Sequence, residues 1–192
     1  MLNPFFLQGS QTEQGLVQDL INEQLRMYGV EVHYIPRKYA TEKTIIREVI
    51  QSKFDQAHPI EAYVNNYEGY GDNTTILSKF GIQATNEIEL IISKERYEQY
   101  ISPLLKDKTN VKLTTRPKEG DLIYFPLGDR IFEIKFVEHE KPFYQLRKNY
   151  VYVLKCELFR MEQNDILDTG ISEVDDVLTG ISTNLDDGYV TF

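Results

Sequence analysis

Residues 120–138, GDLIYFPLGDRIFEIKFVE, alternate apolar and polar positions on both sides of Leu127, Gly128, Asp129 and Arg130. Period-two alternation around a Gly-containing break predicts a β-hairpin. Taking Gly128 and Asp129 as a two-residue turn, Phe125 opposes Phe132, Ile123 opposes Ile134 and Asp121 opposes Phe136. One face then reads Ile123, Phe125, Phe132, Ile134 and Phe136, all apolar. Glu133 and Lys135 fall on the other face, opposite Tyr124 and Leu122, because side chains alternate and directly opposed residues share a face. A three-residue turn would set Ile123 and Phe125 against Ile131, Glu133 and Lys135. Register follows the hydrophobic pattern, which selects the first arrangement.

Four more segments read as strands: VEVHYIPR (30–37, ended by Pro36), IEAYVNNY (60–67), NEIELIISK (86–94) and NYVYVLKCELFR (149–160). One segment reads clearly as a helix, residues 11–28, where Leu16, Val17, Leu20, Ile21, Leu25 and Tyr28 recur at helical spacing. Ser10 and Glu13 spell a capping box before it, and Gly29 is placed to end it in a left-handed conformation. Residues 41–54 carry Ile45, Ile46, Val49 and Ile50 at helical spacing, but β-branching weakens a helix there. Residues 68–75 read as a Gly- and Asn-rich loop, and 95–101 as a short helical turn. Residues 102–118 read as a loop with room for a short strand at VKLTT. The sum is a mainly β (α+β) fold, a small β-barrel of antiparallel strands with an N-terminal helix and an extended C-terminal tail. The divisions fall at 1–29 (arm and helix), 30–160 (barrel) and 161–192 (tail).

Charge sharpens the third division. The chain of 192 residues has net charge −9. Residues 162–192 contain Glu162, Asp165, Asp168, Glu173, Asp175, Asp176, Asp186 and Asp187 and no Lys or Arg, so they hold −8 and the remainder −1. A body so close to neutral lacks the clustered cations that draw DNA. Within the tail, Ile171, Val174 and Leu178 form a helical stripe suited to docking, while self-repulsion predicts a loose tail in the free chain. No apolar run approaches ~20 residues, which predicts no membrane span. The first seven residues lack the basic region of a signal peptide. A single cysteine, Cys156, rules out an internal disulfide and fits a reducing compartment.

Asp121, Glu133 and Lys135 resemble the Asp…Glu-x-Lys spelling of Mg²⁺-dependent nucleases, which need two carboxylates on the metal and a Lys beside the attacking water. All three must share one face, and the preferred register separates Asp121 from the other two. His33, His58 and His139 lack the spacing of a zinc site. Cys156 has no spelled-out catalytic partner, and GYGDN (69–73) lacks the Lys and third Gly of a phosphate loop. The expectation is therefore no catalytic, cofactor-binding or metal-binding residue and no enzyme. The competing readings are a Mg²⁺-dependent nuclease built on Asp121, Glu133 and Lys135, and a generic protein-interaction module.

Five segments in this order resemble the neck protein of T4-like contractile-tailed bacteriophages: GVEVHYIPR (29–37), IEAYVNNYEGYGDN (60–73), ILSKFGIQATNEIELIISKERY (76–97), RPKEGDLIYFPLGDRIFEIKFVE (116–138) and KPFYQL (141–146). Residues 41–54, the short N-terminus and the acidic tail depart from the pattern. The resemblance implies a structural virion protein of the head–tail connector, similar to head-completion and head-closure (stopper) proteins, which are small β-barrels arranged in a ring, commonly a hexamer. It implies as partners further copies of the chain, a portal-side adaptor or neck protein, a tail terminator, and genomic DNA passing without specific binding. The implied location is the virion neck, assembled in the host cytoplasm. The loop 66–80 or 102–118, each long and marked by Gly, Asn or Pro, is expected to be mobile in the free subunit, and by the same analogy one of them is expected to gate the channel.

Overall fold

A computed structural model of the chain describes residues 9–40, 51–65, 74–78, 81–85, 87–106, 115–138, 146–159, 165–172 and 174–175. Helix α1 (Gln11–Tyr28) leads into β1 (Val30–Ile35), β2 (Lys38–Ala40), β3 (Gln51–Phe54) and β4 (His58–Val64). A hairpin of β5 (Thr74–Ser78) and β6 (Gly81–Thr85) precedes β7 (Glu87–Ser93). A helical run follows as α2 (Lys94–Arg96), a widened π-helical turn at Tyr97–Ile101, and α3 (Ser102–Lys106). Then come β8 (Leu122–Phe125), β9 (Arg130–Glu138), β10 (Val151–Leu158) and β11 (Asp165–Leu167).

Six strands close into an antiparallel barrel in the order β1-β4-β7-β10-β9-β8, with β8 returning to pair with β1. Closure leaves these strands no open edge. Alternate residues fill the interior: Val32 and Tyr34 from β1, Ile88, Leu90 and Ile92 from β7, Ile123 and Phe125 from β8, Phe132 and Ile134 from β9, Leu154 and Cys156 from β10. The helical run lays Tyr97, Ile101 and Leu105 into the same core. A barrel this small is filled by side chains and is not a pore. Pro103 sits inside the helical run although 102–118 reads as loop; it has no N–H to donate to the preceding turn, and the widened turn lies just before it.

A second core lies outside the barrel wall. β2, β3 and β11 form a three-stranded sheet in which β11 pairs in parallel with β3. Phe54, Phe159 and Val174 pack there against Ile35, Leu122, Tyr124 and Ile131, the outward residues of β1, β8 and β9. The hairpin wall is thus buried on both faces. The predicted loose tail is corrected in part: Asp165–Leu167 is a strand, Val174 is fully buried and Ile171 partly buried against the second core. Asp175 fastens this return, its carboxylate accepting from the Thr169 N–H at 3.0 Å, the Thr169 hydroxyl at 2.8 Å and the Gly170 N–H at 3.1 Å. Leu178 lies outside the described residues.

Other expectations divide. Helix 11–28 and the strands at 30–35, within 86–94 and within 149–160 stand as read, and the strand expected at 60–67 runs from His58 to Val64. The capping box does not form: Ser10 caps α1 through its carbonyl, which accepts from the Gln14 N–H at 3.0 Å, and not through its side chain. Gly29 is extended (φ −80°, ψ 167°), not left-handed. Its need for glycine is space, since an added Cβ would stand 2.2 Å from the Leu25 carbonyl oxygen and 3.0 Å from that of Ala62. Residues 51–54 are strand, and 41–50 lie outside the described residues. Thr74 and Thr75, expected in a loop, begin β5. Most of the VKLTT and KPFYQL segments, and residues 66–73 of the expected gate, lie outside the described residues.

The hairpin register is two residues from the expected one. Ile123 opposes Phe132, Tyr124 opposes Ile131 and Phe125 opposes Arg130, so residues 126–129 form the turn. Pro126 opens a short 3₁₀ turn and Asp129 closes it in the left-handed region (φ 45°), held by the Tyr124 hydroxyl at 2.9 Å. A shift of two preserves which side chains share a face. Phe125, Phe132 and Ile134 accordingly face the core, and Glu133 and Lys135 face away. Phe136 breaks the expected face. A bulge in β9 sets Lys155 opposite Phe136 but Cys156 opposite Ile134, leaving Lys135 as the extra residue. Alternation flips there, so Val137 is buried and Phe136 is 51% exposed. Two substitutions check this assignment by urea denaturation. Phe132→Ala is expected to cost about 3–5 kcal/mol. Phe136→Ala is expected to stay within about 1 kcal/mol of the parent, as an exposed position.

Candidate functional site

Asp121 precedes β8 and points into the barrel, where it is 4% exposed. Its carboxylate accepts from the Tyr34 hydroxyl on β1, from the Arg37 N–H at 2.8 Å and from the Lys118 N–H at 3.2 Å. The Tyr97 hydroxyl donates to that of Tyr34 at 3.3 Å, with the two rings edge to face at 5.4 Å. Burial pushes the Asp121 carboxyl up to about 6, against the downward pull of its three donors. Burial, with the Asp121 charge, pushes the Tyr34 hydroxyl well above its ordinary range. These groups join β1, β8 and the helical run.

Glu133 and Lys135 lie on the opposite side of the wall. Lys135 Nζ donates to Glu133 Oε2 at 2.6 Å, and the Arg37 guanidinium stands 4.0 Å from the same carboxylate. The barrel wall therefore parts Asp121 from Glu133 and Lys135, as the alternation predicts, and the two-carboxylate cradle is not assembled. Among the described residues, no three His, Cys, Asp or Glu side chains are placed to hold a metal ion. His33 is in β1 with its ring 5.9 Å from that of Tyr124, and His58 opens β4; His139 lies outside the described residues, as does GYGDN. Cys156 is 1% exposed, and burial pushes its thiol far above the range of a nucleophile.

Surface features are the better candidates. Helix α1 turns a polar stripe inward. Gln18, 4% exposed, donates to Ser93 Oγ and Asn22 Oδ1, both at 3.2 Å. Asn22 donates to Glu95 Oε2 at 2.8 Å, and Gln14 to the Leu146 carbonyl at 2.7 Å. Arg26 and Arg96 both reach Glu61, at 3.9 and 2.5 Å, tying the helix to β4 and α2. The outward face then carries Leu16, Leu20 and Met27, which are 61%, 55% and 67% exposed. At 3.6 residues per turn these three lie within about 40° of one another. Of the apolar residues that predict the helix, Leu25 alone is buried outright. Gln14, Gln18 and Asn22 recur at i, i+4 and i+8, so the second stripe is visible in the sequence; which stripe faces inward is decided by Ser93 and Glu95, far along the chain.

A second exposed feature is the bulge. Phe136 stands over a groove of about 350 Å³ lined by β7, β9 and β10. Lys155, directly across, holds its ammonium 5.9 Å from the Phe136 ring, and Glu89 lies one strand beyond. The adjacent apolar pair Phe136-Val137 is the one sequence signal of the bulge, since one of the two must face away.

Asp121 makes stability depend on pH with a definite sign. Its folded pKa, about 6, lies above the ordinary 3.8. Its contribution is therefore fully present below about pH 4 and is lost as pH rises through about 6. Between pH 4 and 7.5 the parent is expected to lose on the order of 2–3 kcal/mol relative to Asp121→Asn. Parallel urea titrations of the two proteins across that range measure the difference.

The chain matches the virus neck protein family (T4_neck-protein) over residues 1–188, nearly its whole length. That span takes in the barrel, α1 with its outward leucines, and the returning tail segment. By that match over nearly its whole length, the chain belongs to the virus neck protein family.

Proposed function

We propose that this structural protein of the phage neck forms a ring between the DNA-filled head and the tail, closes the head, and leaves a channel for the genome. The family match carries the reading. The fold adds a constraint. The barrel interior is filled with Tyr34, Tyr97, Phe132 and their aliphatic neighbours, so DNA has no path through a subunit. A channel must run between subunits, which requires several copies around an axis. On this reading one side of the ring meets a portal-side adaptor or neck protein and the other a tail terminator. The near-neutral body suits passage of DNA, which a strongly basic lining would retard.

Heads assembled without this protein test the proposal. They are expected to lose their DNA to added nuclease and to fail to join tails. Purified protein added back is expected to restore both properties. Heads that keep their DNA and join tails equally well without it would overturn the reading.

A further inference from the structure

We infer that residues 11–24 of α1 are a releasable arm, latched to a finished barrel by polar side chains and able to come away from it while the barrel stays folded. Such an opening belongs to the single chain and does not depend on the ring reading above.

The two ends of α1 are held in different ways. At the C-terminal end Leu25 is buried, and its carbonyl accepts from the Gly29 N–H at 2.9 Å. Gly29 leaves no room for a side chain between the Leu25 and Ala62 carbonyls. This end is a fixed pivot. Ahead of it, no apolar residue of α1 is buried outright: Val17 and Ile21 are half-buried, and Leu16 and Leu20 are exposed. A helix of 18 residues is marginal alone in water and owes its place on a protein mainly to apolar packing. That packing is scarce here.

The latch is made of hydrogen bonds. Gln14 donates to the Leu146 carbonyl at 2.7 Å and Gln18 to Ser93 Oγ at 3.2 Å. The Ser93 hydroxyl donates to Asn22 Oδ1 at 2.6 Å, and Asn22 donates to Glu95 Oε2 at 2.8 Å. Each of these groups can bond water once the arm has left, so each bond adds little net hold. The carbonyl that Gln14 grips also belongs to a strained turn. Leu146 and Arg147 both lie in the left-handed region (φ 50° and 65°), which is costly for residues with a Cβ. Letting go of that carbonyl leaves the turn free to relax. The start of the helix is itself loosely built. Ser10 makes no side-chain cap, and Gly15, a helix-weakening residue, stands where an added Cβ would meet nothing.

The barrel is complete without the arm. Its six strands close on one another, and among the described residues neither core includes one from α1. Regions with few buried apolar contacts open ahead of the core they rest on.

Thiol labelling of the full chain carrying Ser93→Cys tests the inference. Ser93 and Cys156 are each 1% exposed, the first beneath α1 and the second inside the barrel. One molecule therefore reports both openings. Under native conditions a maleimide is expected to react at position 93 about a hundredfold faster than at Cys156. Adding Gln14→Ala and Gln18→Ala is expected to speed position 93 about tenfold further and to leave Cys156 unchanged. Equal rates at the two thiols would overturn the inference, because α1 would then leave only when the barrel opens. A rate at position 93 that ignores the loss of Gln14 and Gln18 would overturn the latch. Hydrogen exchange on the unaltered chain removes any effect of the new thiol. Amides of residues 15–24 are expected to exchange ahead of those of β4 and β7, and exchange of all three together would count against a separate arm.

Discussion

The barrel depends on closing β8 against β1. That seam has three register pairs, His33 with Tyr124, Tyr34 with Ile123, and Ile35 with Leu122. Asp121 extends it beyond the last pair by accepting from Tyr34 and from the Arg37 N–H. A carboxylate inside a small barrel is costly unless its acceptor capacity is met. Here backbone and tyrosine donors offset part of that cost, burial still holding the carboxyl up at about 6, and the same tyrosine contacts Tyr97 of the helical run. Closure, the seating of the helical run and the burial of Asp121 therefore share the same side chains.

Once the seam is closed, both faces of the hairpin become interior. The inner face contributes to the barrel core and the outer face to the core beneath the small sheet. The exposed phenylalanine of the wall lies away from the seam, where β9 pairs with β10. It also explains the fate of the residues that spell a nuclease. Alternation along β8 and β9 puts Asp121 on one side of a buried wall and the Glu133 and Lys135 pair on the other.

Faces were legible in the sequence because period-two alternation survives an error in the turn. The expected Gly128-Asp129 turn and the observed turn at 126–129 differ by two residues in register, and Phe125, Phe132 and Ile134 face inward under both. The bulge was legible only in the adjacent apolar pair Phe136-Val137, because Lys135-Phe136 continues the alternation up to the point where pairing with β10 breaks it. Helix α1 was legible in extent and not in orientation. Apolar spacing fixes where a helix runs, but the choice of buried face lay with Ser93 and Glu95. The return of the tail was hidden for the same reason. Asp165–Leu167 looks like part of an acidic run until β3 is placed beside it.

That parallel pairing has a consequence for how the chain is made. Ile166 aligns with Lys53, about 110 residues earlier, and such non-local contacts form late. During synthesis the barrel strands through β10 emerge before β11 exists. A nascent or prematurely terminated chain can therefore close its barrel while Phe54, Phe159 and the outer side of Leu122 still lack the cover that Val174 provides. Such a product would present a sticky flank beside a finished barrel, the kind of surface that chaperones and proteases act on.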